Sequence, residues 1–220
     1  MSLRILHEDE RLLFVDKPSG MLVHRGWATD DIVLVDLVRE HVGRAHPIHR
    51  IDRATSGVIL FARDADTARV LNAQFDARTV RKTYVALVRG VAPESGLIDH
   101  PVPRTEGGER VDAQTRFHRL AAAQTQPRDV SLVEASPITG RFHQIRRHLK
   151  HIDHPIIGDA NYGKGPLNRA FRERYGLERL ALHAASLEIE HPDSGSRLVI
   201  EAKIPDDLRE PLAAMGFELP

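Results

Sequence analysis

Apolar positions along this chain recur with two periods, and each change of period marks an element. Arg4–His7 and Leu12–Asp16 read as two short strands, stopped by Lys17-Pro18-Ser19-Gly20. Val33, Leu34, Leu37, Val38 and Val42 follow helical spacing, and Gly43 ends that helix. Val58–Ala62 is an unbroken apolar run and reads as a buried strand. Asp64 or Asp66 caps the next helix, whose inner face carries Val70, Leu71 and Phe75. Thr83–Val88 is rich in β-formers, and the segment 93–108, dense in Pro and Gly, reads as irregular. Strands follow near Ala113–Leu120 and Val130–Ala135. Gly140–Ile152 reads as a helix with Phe142, Ile145, Leu149 and Ile152 on one side. Two strands, Ala181–Glu190 and Arg197–Ala202, and a short helix from Asp206 complete the chain.

Strands and helices mix here without regular strand–helix–strand alternation. Turns as short as His191-Pro192-Asp193-Ser194-Gly195 join consecutive strands. This predicts an α+β fold with a mixed, largely antiparallel central sheet flanked by helices. A single domain over residues 1–220 is expected, with 41% hydrophobic and 28% charged residues matching an ordinary globular protein. No apolar stretch approaches the ~20 residues of a membrane span. The N-terminus turns acidic before any signal-like region develops, so the cytoplasm is the expected compartment. The chain has no cysteine, which removes disulfides and thiolate chemistry.

Charge changes the picture only when it is read by position. The 31 basic and 31 acidic residues cancel overall, yet residues 101–150 carry a net +4 and 201–220 a net −3. Arginine outnumbers lysine 26 to 5. Guanidinium forks suit phosphate and stack on bases, so one basic face on a neutral protein is compatible with a nucleic-acid partner.

Two polar clusters carry candidate chemistry. His49-Arg50-Ile51-Asp52-Arg53 runs directly into the apolar strand, which places Asp52 beside a low-dielectric wall with arginines on both sides. An ionised, partly desolvated carboxylate suits a nucleophile or general base. Taken alone, the segment reads better as a turn-capping aspartate in a surface ion pair. In the second cluster, His143, Arg146 and Lys150 share a helix flank at i, i+3 and i+7. Such a flank suits an anionic substrate, or a cation paired with a buried acid, or simply a solvated face. Thirteen histidines raise the question of a metal, but no H-E-x-x-H occurs, and His148, His151 and His154 have no matching carboxylate ligand. No metal is expected. No G-x-G-x-x-G or P-loop is present either.

In combination and in order, these segments resemble the RluA-type family of RNA pseudouridine synthases. The matching motifs are D-K-P-S-G-M-L-V-H at 16–24, H-R-I-D-R-A-T-S-G-V-I-L-F-A at 49–62 and R-K-T-Y-V-A-L-V at 81–88. They continue with G-R-F-H-Q-I-R-R-H-L at 140–149, H-P-I-I-G-D-A-N-Y-G at 154–163 and L-A-L-H-A at 180–184. The resemblance implies the pseudouridine synthase catalytic fold with an active-site cleft and no cofactor. Its reaction is cleavage of the N1–C1′ bond of a uridine in RNA, rotation of the base and rejoining through C5. It implies Asp52 as the essential aspartate, Tyr84 packed under the uracil and Arg146 paired with the aspartate. Arg50 would fill the gap left by the flipped nucleotide, Leu182 would contact the base, and His143 joins the substrate-binding set. No S4-like RNA-binding extension is expected before the catalytic region. The compact form is most similar to the subgroup that modifies a uridine near the tRNA acceptor stem. Ribosomal RNA, alone or with tRNA, is the competing substrate, and a non-catalytic RNA-binding module is the competing class. A monomer is expected. A glycosidase needs two facing acids, and Asp52 has no second one in these motifs.

Overall fold

The computed structural model describes residues 3–25 and 32–218. In chain order its elements begin β1 (Ile5–Glu8), β2 (Leu12–Lys17), α1 (Leu34–Val42), β3 (His46–Pro47), β4 (Ser56–Ala62) and α2 (Ala65–Asp76). Then come β5 (Arg81–Arg89), β6 (Ser95–Asp99), β7 (Val102–Pro103), β8 (Arg110–Val111), β9 (Gln114–Ala123) and β10 (Val130–Pro137). The last are α3 (Gln144–His151), α4 (Gly165–Tyr175), β11 (Leu182–Glu190), β12 (Arg197–Glu201) and α5 (Asp206–Ala214). The chain divides into two compact units, Met1–Lys82 with Ala184–Lys203 and Thr83–His183 with Ile204–Pro220. The expected α+β class is what the structure has.

In the first unit, β2 pairs antiparallel with β1 and β4, β3 pairs with β4, and β12 pairs with β11 beside β4. All seven residues of β4 are buried, because its neighbours cover both faces of the apolar run. Val58, Leu60 and Ala62 share one face at period two and pack with Leu12, Phe14, Leu71, Leu187 and Ile189. Each large side chain buried there contributes roughly 1.5–3 kcal/mol. Asp64, not Asp66, caps α2, its carboxylate accepting the Thr67 N–H at 2.8 Å. Val70 departs from expectation. It is 45% exposed, because the buried face centres on Ala68 and Leu71 and Val70 is turned about 100° from Leu71.

The second unit is built on β5, β10, β9 and β6, each antiparallel to its neighbour, and on a β7–β8 ribbon. The segment read as irregular therefore holds β6 and β7, short strands between prolines. The helix expected from Gly140 begins at Gln144, since His143 takes a left-handed φ of 53°. Ile145 and Leu149 are buried as expected, whereas Phe142 precedes the helix. α4 was not legible, because only Phe171 along it is fully buried and the apolar stripe is correspondingly thin. Among the described residues no helix is long and apolar enough to cross a membrane.

Candidate active site

The turn that carries Asp52 is held from both sides. Upstream, the Ile48 N–H donates to the Leu60 carbonyl and the Leu60 N–H donates to His49 Nε2, both at 3.1 Å. His49 is therefore the Nδ1–H tautomer, neutral, and stacked on Phe75 with centroids 5.3 Å apart. Burial pushes its pKa down to about 3, helped by the charge of Lys82. The Lys82 ammonium lies 5.8 Å from the Phe75 centroid and is itself lowered by burial. Downstream, the Thr55 N–H closes the turn on the Asp52 carbonyl at 3.0 Å. Gly57, at φ 116°, lets β4 approach β11, where any Cβ would lie 2.1 Å from the Ala184 carbonyl oxygen.

A second segment, more than thirty residues earlier, clamps the same turn. Lys17 is fully buried, and its ammonium donates to the carbonyls of Pro18 (2.8 Å), Met21 (2.8 Å) and Arg53 (3.0 Å). Ser19 Oγ donates to the Ala54 carbonyl, the Gly20 N–H to the Arg53 carbonyl, and Arg53 Nε to the Gly20 carbonyl. Asp52 is left half-buried on this braced turn, and Arg50 is exposed. Arg50 also lines a cavity of about 480 Å³ with His24, Arg25, Asp36, Arg39 and His49. Arg25 and Asp36 pair at 2.8 Å within it.

In the second unit, Tyr84 is half-buried on β5 opposite Ala135 of β10. Leu182 is buried at the start of β11, where its carbonyl accepts from Arg179 Nη2. Arg146 is buried, and it makes a fork on Asp159, Nε to Oδ2 at 2.7 Å and Nη2 to Oδ1 at 2.8 Å. Burial alone would raise the Asp159 carboxyl. The Arg146 bonds and charge, with N–H groups from Tyr162 and Asn161, outweigh it and hold the carboxyl below its ordinary range. Of the readings open for the basic flank, the structure thus gives Arg146 a buried acid. The flank itself converges on one ring. His143 Nδ1 lies 3.0 Å from the Tyr162 hydroxyl, and Arg146, Arg147 and Lys150 all have their charged ends within 6 Å of the Tyr162 centroid.

Beneath α3 a polar network fixes the helix. Gln144 accepts from the Thr139 hydroxyl and the Arg141 N–H, and donates to the Gln114 carbonyl and Thr115 hydroxyl. Thr115 in turn donates to His148 Nδ1, and His148 Nε2 donates to the His100 carbonyl. His148 is therefore a structural bridge, lowered in pKa by burial. Among the described residues no group of three His, Asp or Glu is placed to hold a metal. Sequence reasoning gave no role to Lys17, Ser19, Gln144, Asp159 or Tyr162. All five lie inside quoted motifs, and a charged residue ending an apolar strand was the available signal for Lys17.

Residues 11–151, most of the chain and part of both units, match the family described as RNA pseudouridylate synthase. Relatives named tRNA pseudouridine synthase C include one from Haemophilus ducreyi, 38% identical, covering 92% of this chain and 91% of its own. The one from Vibrio cholerae is 35% identical, with 98% and 97% covered. The one from Pectobacterium carotovorum is 39% identical over 91% of this chain, which spans 59% of that relative's length. Among solved structures, human RNA Pseudouridylate Synthase Domain Containing 4 superposes with a TM-score of 0.78 at 29% identity, covering 99% of this chain and 94% of that one.

Proposed function

The chain belongs to the RNA pseudouridylate synthase family, and on that premise we propose that it isomerises uridine to pseudouridine in tRNA, near the acceptor stem, with Asp52 as its essential group. The observation that carries the assignment of Asp52 is the bracing of its turn. Lys17, Ser19, Gly20 and Arg53 fix the main chain next to it, which holds a reacting carboxylate to one position. The tRNA substrate is supported by the names of the Haemophilus ducreyi and Vibrio cholerae relatives.

In this reading the target nucleotide leaves its stack, at a cost of a few kcal/mol, and Arg50 fills the space it vacates. Asp52 attacks C1′ or C6 as a nucleophile, or removes a sugar proton. Each route needs it ionised, and Arg146 supports that charge. Tyr84 packs under the uracil and Leu182 contacts it from the apolar side, while His143 contributes to substrate binding. The N1–C1′ bond breaks, C5 bonds to C1′, the C5 proton leaves and N1 takes up a proton. No atom is gained or lost overall, so no co-reactant is required. Residues 1–220 act as one catalytic domain in a monomeric cytoplasmic protein.

Tritium release from tRNA labelled at uridine C5 tests the proposal. Asp52→Asn is expected to lose about 10³-fold or more of turnover, the scale of a missing nucleophile or base, with an unchanged thermal midpoint. Near-normal release by that variant overturns the role of Asp52. Mapping pseudouridine in cellular tRNA and ribosomal RNA, with and without the protein, tests the substrate.

A further inference from the structure

We propose that a cavity of the second unit, remote in sequence from the Asp52 turn, is a docking site for a backbone phosphate and its ribose in the RNA substrate. Its volume is about 340 Å³. Arg89, Arg128 and Lys164 line it, over a floor of Pro127, Pro166 and Leu167. The three cations come from three separate places, the end of β5, the β9–β10 connection and the residue before α4. None of the lining residues is acidic.

Three cationic side chains drawn from three places border one apolar hollow, and their summed positive potential favours an entering anion. Arginine and lysine together suit a phosphodiester, whose oxygens accept from several donors at once. The floor is apolar and offers no side chain able to read a base edge. It accepts the face of a ribose or base of any identity. Contacts of this kind position RNA without specifying sequence. The occupant we commit to is therefore RNA, a choice that rests on the tRNA reading above. Arg89 also has a structural duty, donating from Nη2 to the Asp153 carbonyl at 3.0 Å. Arg128 and Lys164 are exposed, so their side chains can be shortened without opening the core.

The test is equilibrium binding of tRNA by the full chain across a salt series, comparing wild type with Arg128→Ala/Lys164→Ala. At ~150 mM salt the double variant is expected to bind about tenfold more weakly, and its log Kd against log salt slope to fall by about 1.5–2. The loss is expected to be equal for tRNA with and without the target uridine. Arg128→Lys/Lys164→Arg, which keeps both charges, restores the slope. An unchanged affinity and slope in the double variant, with a wild-type thermal midpoint, overturns the site. So does a loss confined to tRNA that carries the target uridine. Competition by inorganic phosphate at constant ionic strength separates the sources. If the double variant loses sensitivity to phosphate while its tRNA affinity is unchanged, the cavity is a free-phosphate site and the RNA assignment is wrong. Tritium release by wild type in the same preparation distinguishes this failure from failure of the functional reading, which would remove release altogether.

Discussion

The two units hold their key side chains by different electrostatic means. In the first, the Lys17 ammonium collects three main-chain carbonyls, which are dipoles with no titratable proton. In the second, the Arg146 guanidinium meets a full charge, the Asp159 carboxylate. Carbonyls can satisfy a buried ammonium only where the chain folds back to present several of them, so Lys17 shapes the backbone of the Asp52 turn. A carboxylate satisfies a guanidinium with one side chain, so Asp159 fixes a side chain and leaves the path of α3 to Gln144. The first arrangement is insensitive to acid at its acceptors, whereas the second is lost when Asp159 protonates.

The largest effect expected is from Lys17→Met. It removes three charge-assisted hydrogen bonds of roughly 1.5–3 kcal/mol each, and among the described residues only the Arg53 carbonyl keeps a second donor, the Gly20 N–H, so a loss of about 5 kcal/mol is expected. Urea unfolding measures it. Because the Arg53 carbonyl is one of the three acceptors, turnover is expected to fall beyond what the folded fraction explains. A variant as stable as wild type would mean that the turn is held by Ser19 and Gly20 alone, and the contrast between the units would vanish.

Asp159→Asn comes next. It leaves Arg146 buried against a neutral amide, at a cost of about 3 kcal/mol at neutral pH. The carboxyl is held below its ordinary value in the fold, so its contribution is complete above the unfolded value of 3.8 and is lost as pH falls through the folded one. The stability gap between wild type and variant is therefore expected to be widest above pH ~5 and to narrow toward pH ~3. A gap independent of pH would show that the amide is disfavoured by shape and that the ion pair adds nothing.

How far the sequence foretold these arrangements depends on the range of the interaction. The apolar run Val58–Ala62 announced a buried strand, and the periodic residues of α1 announced a helix, because both signals are local. The α+β class followed from the spacing of such segments. Lys17 was invisible as a clamp, since its acceptor at Arg53 lies far along the chain and nothing local marks a carbonyl as an acceptor. Asp159 was passed over for the same reason, its partner Arg146 lying in another motif. β6 and β7 escaped because two- to five-residue strands between prolines carry too few positions to show a period. Asp52 and Arg146 stood out locally, in polar clusters beside an apolar strand and on a helix flank, but their roles, with those of Tyr84 and Arg50, came from the order of whole motifs, which no propensity argument supplies.

The smallest effect expected sharpens the comparison most, because it gives the first unit its own response to acid. His49 is half-buried, and its Nε2 accepts the Leu60 N–H, a role open only to the neutral ring. Its pKa is about 3 in the fold against 6.5 unfolded, so between those values the unfolded chain binds a proton that the folded chain refuses. The stabilisation is whole above pH 6.5 and declines as pH falls toward 3, by up to about 1.4 kcal/mol per pH unit. His49→Gln keeps an acceptor for Leu60 but cannot titrate. It is expected to be about 1 kcal/mol less stable than wild type at pH ~7, for the lost stacking on Phe75, and to overtake it near pH ~5.5. Urea unfolding of both proteins through this range tests the crossing. Parallel stability curves would mean that His49 takes up a proton as readily in the fold as in the unfolded chain, so that its Nε2 does not hold the Leu60 N–H. Acid would then reach the first unit no earlier than it reaches the Arg146–Asp159 pair in the second.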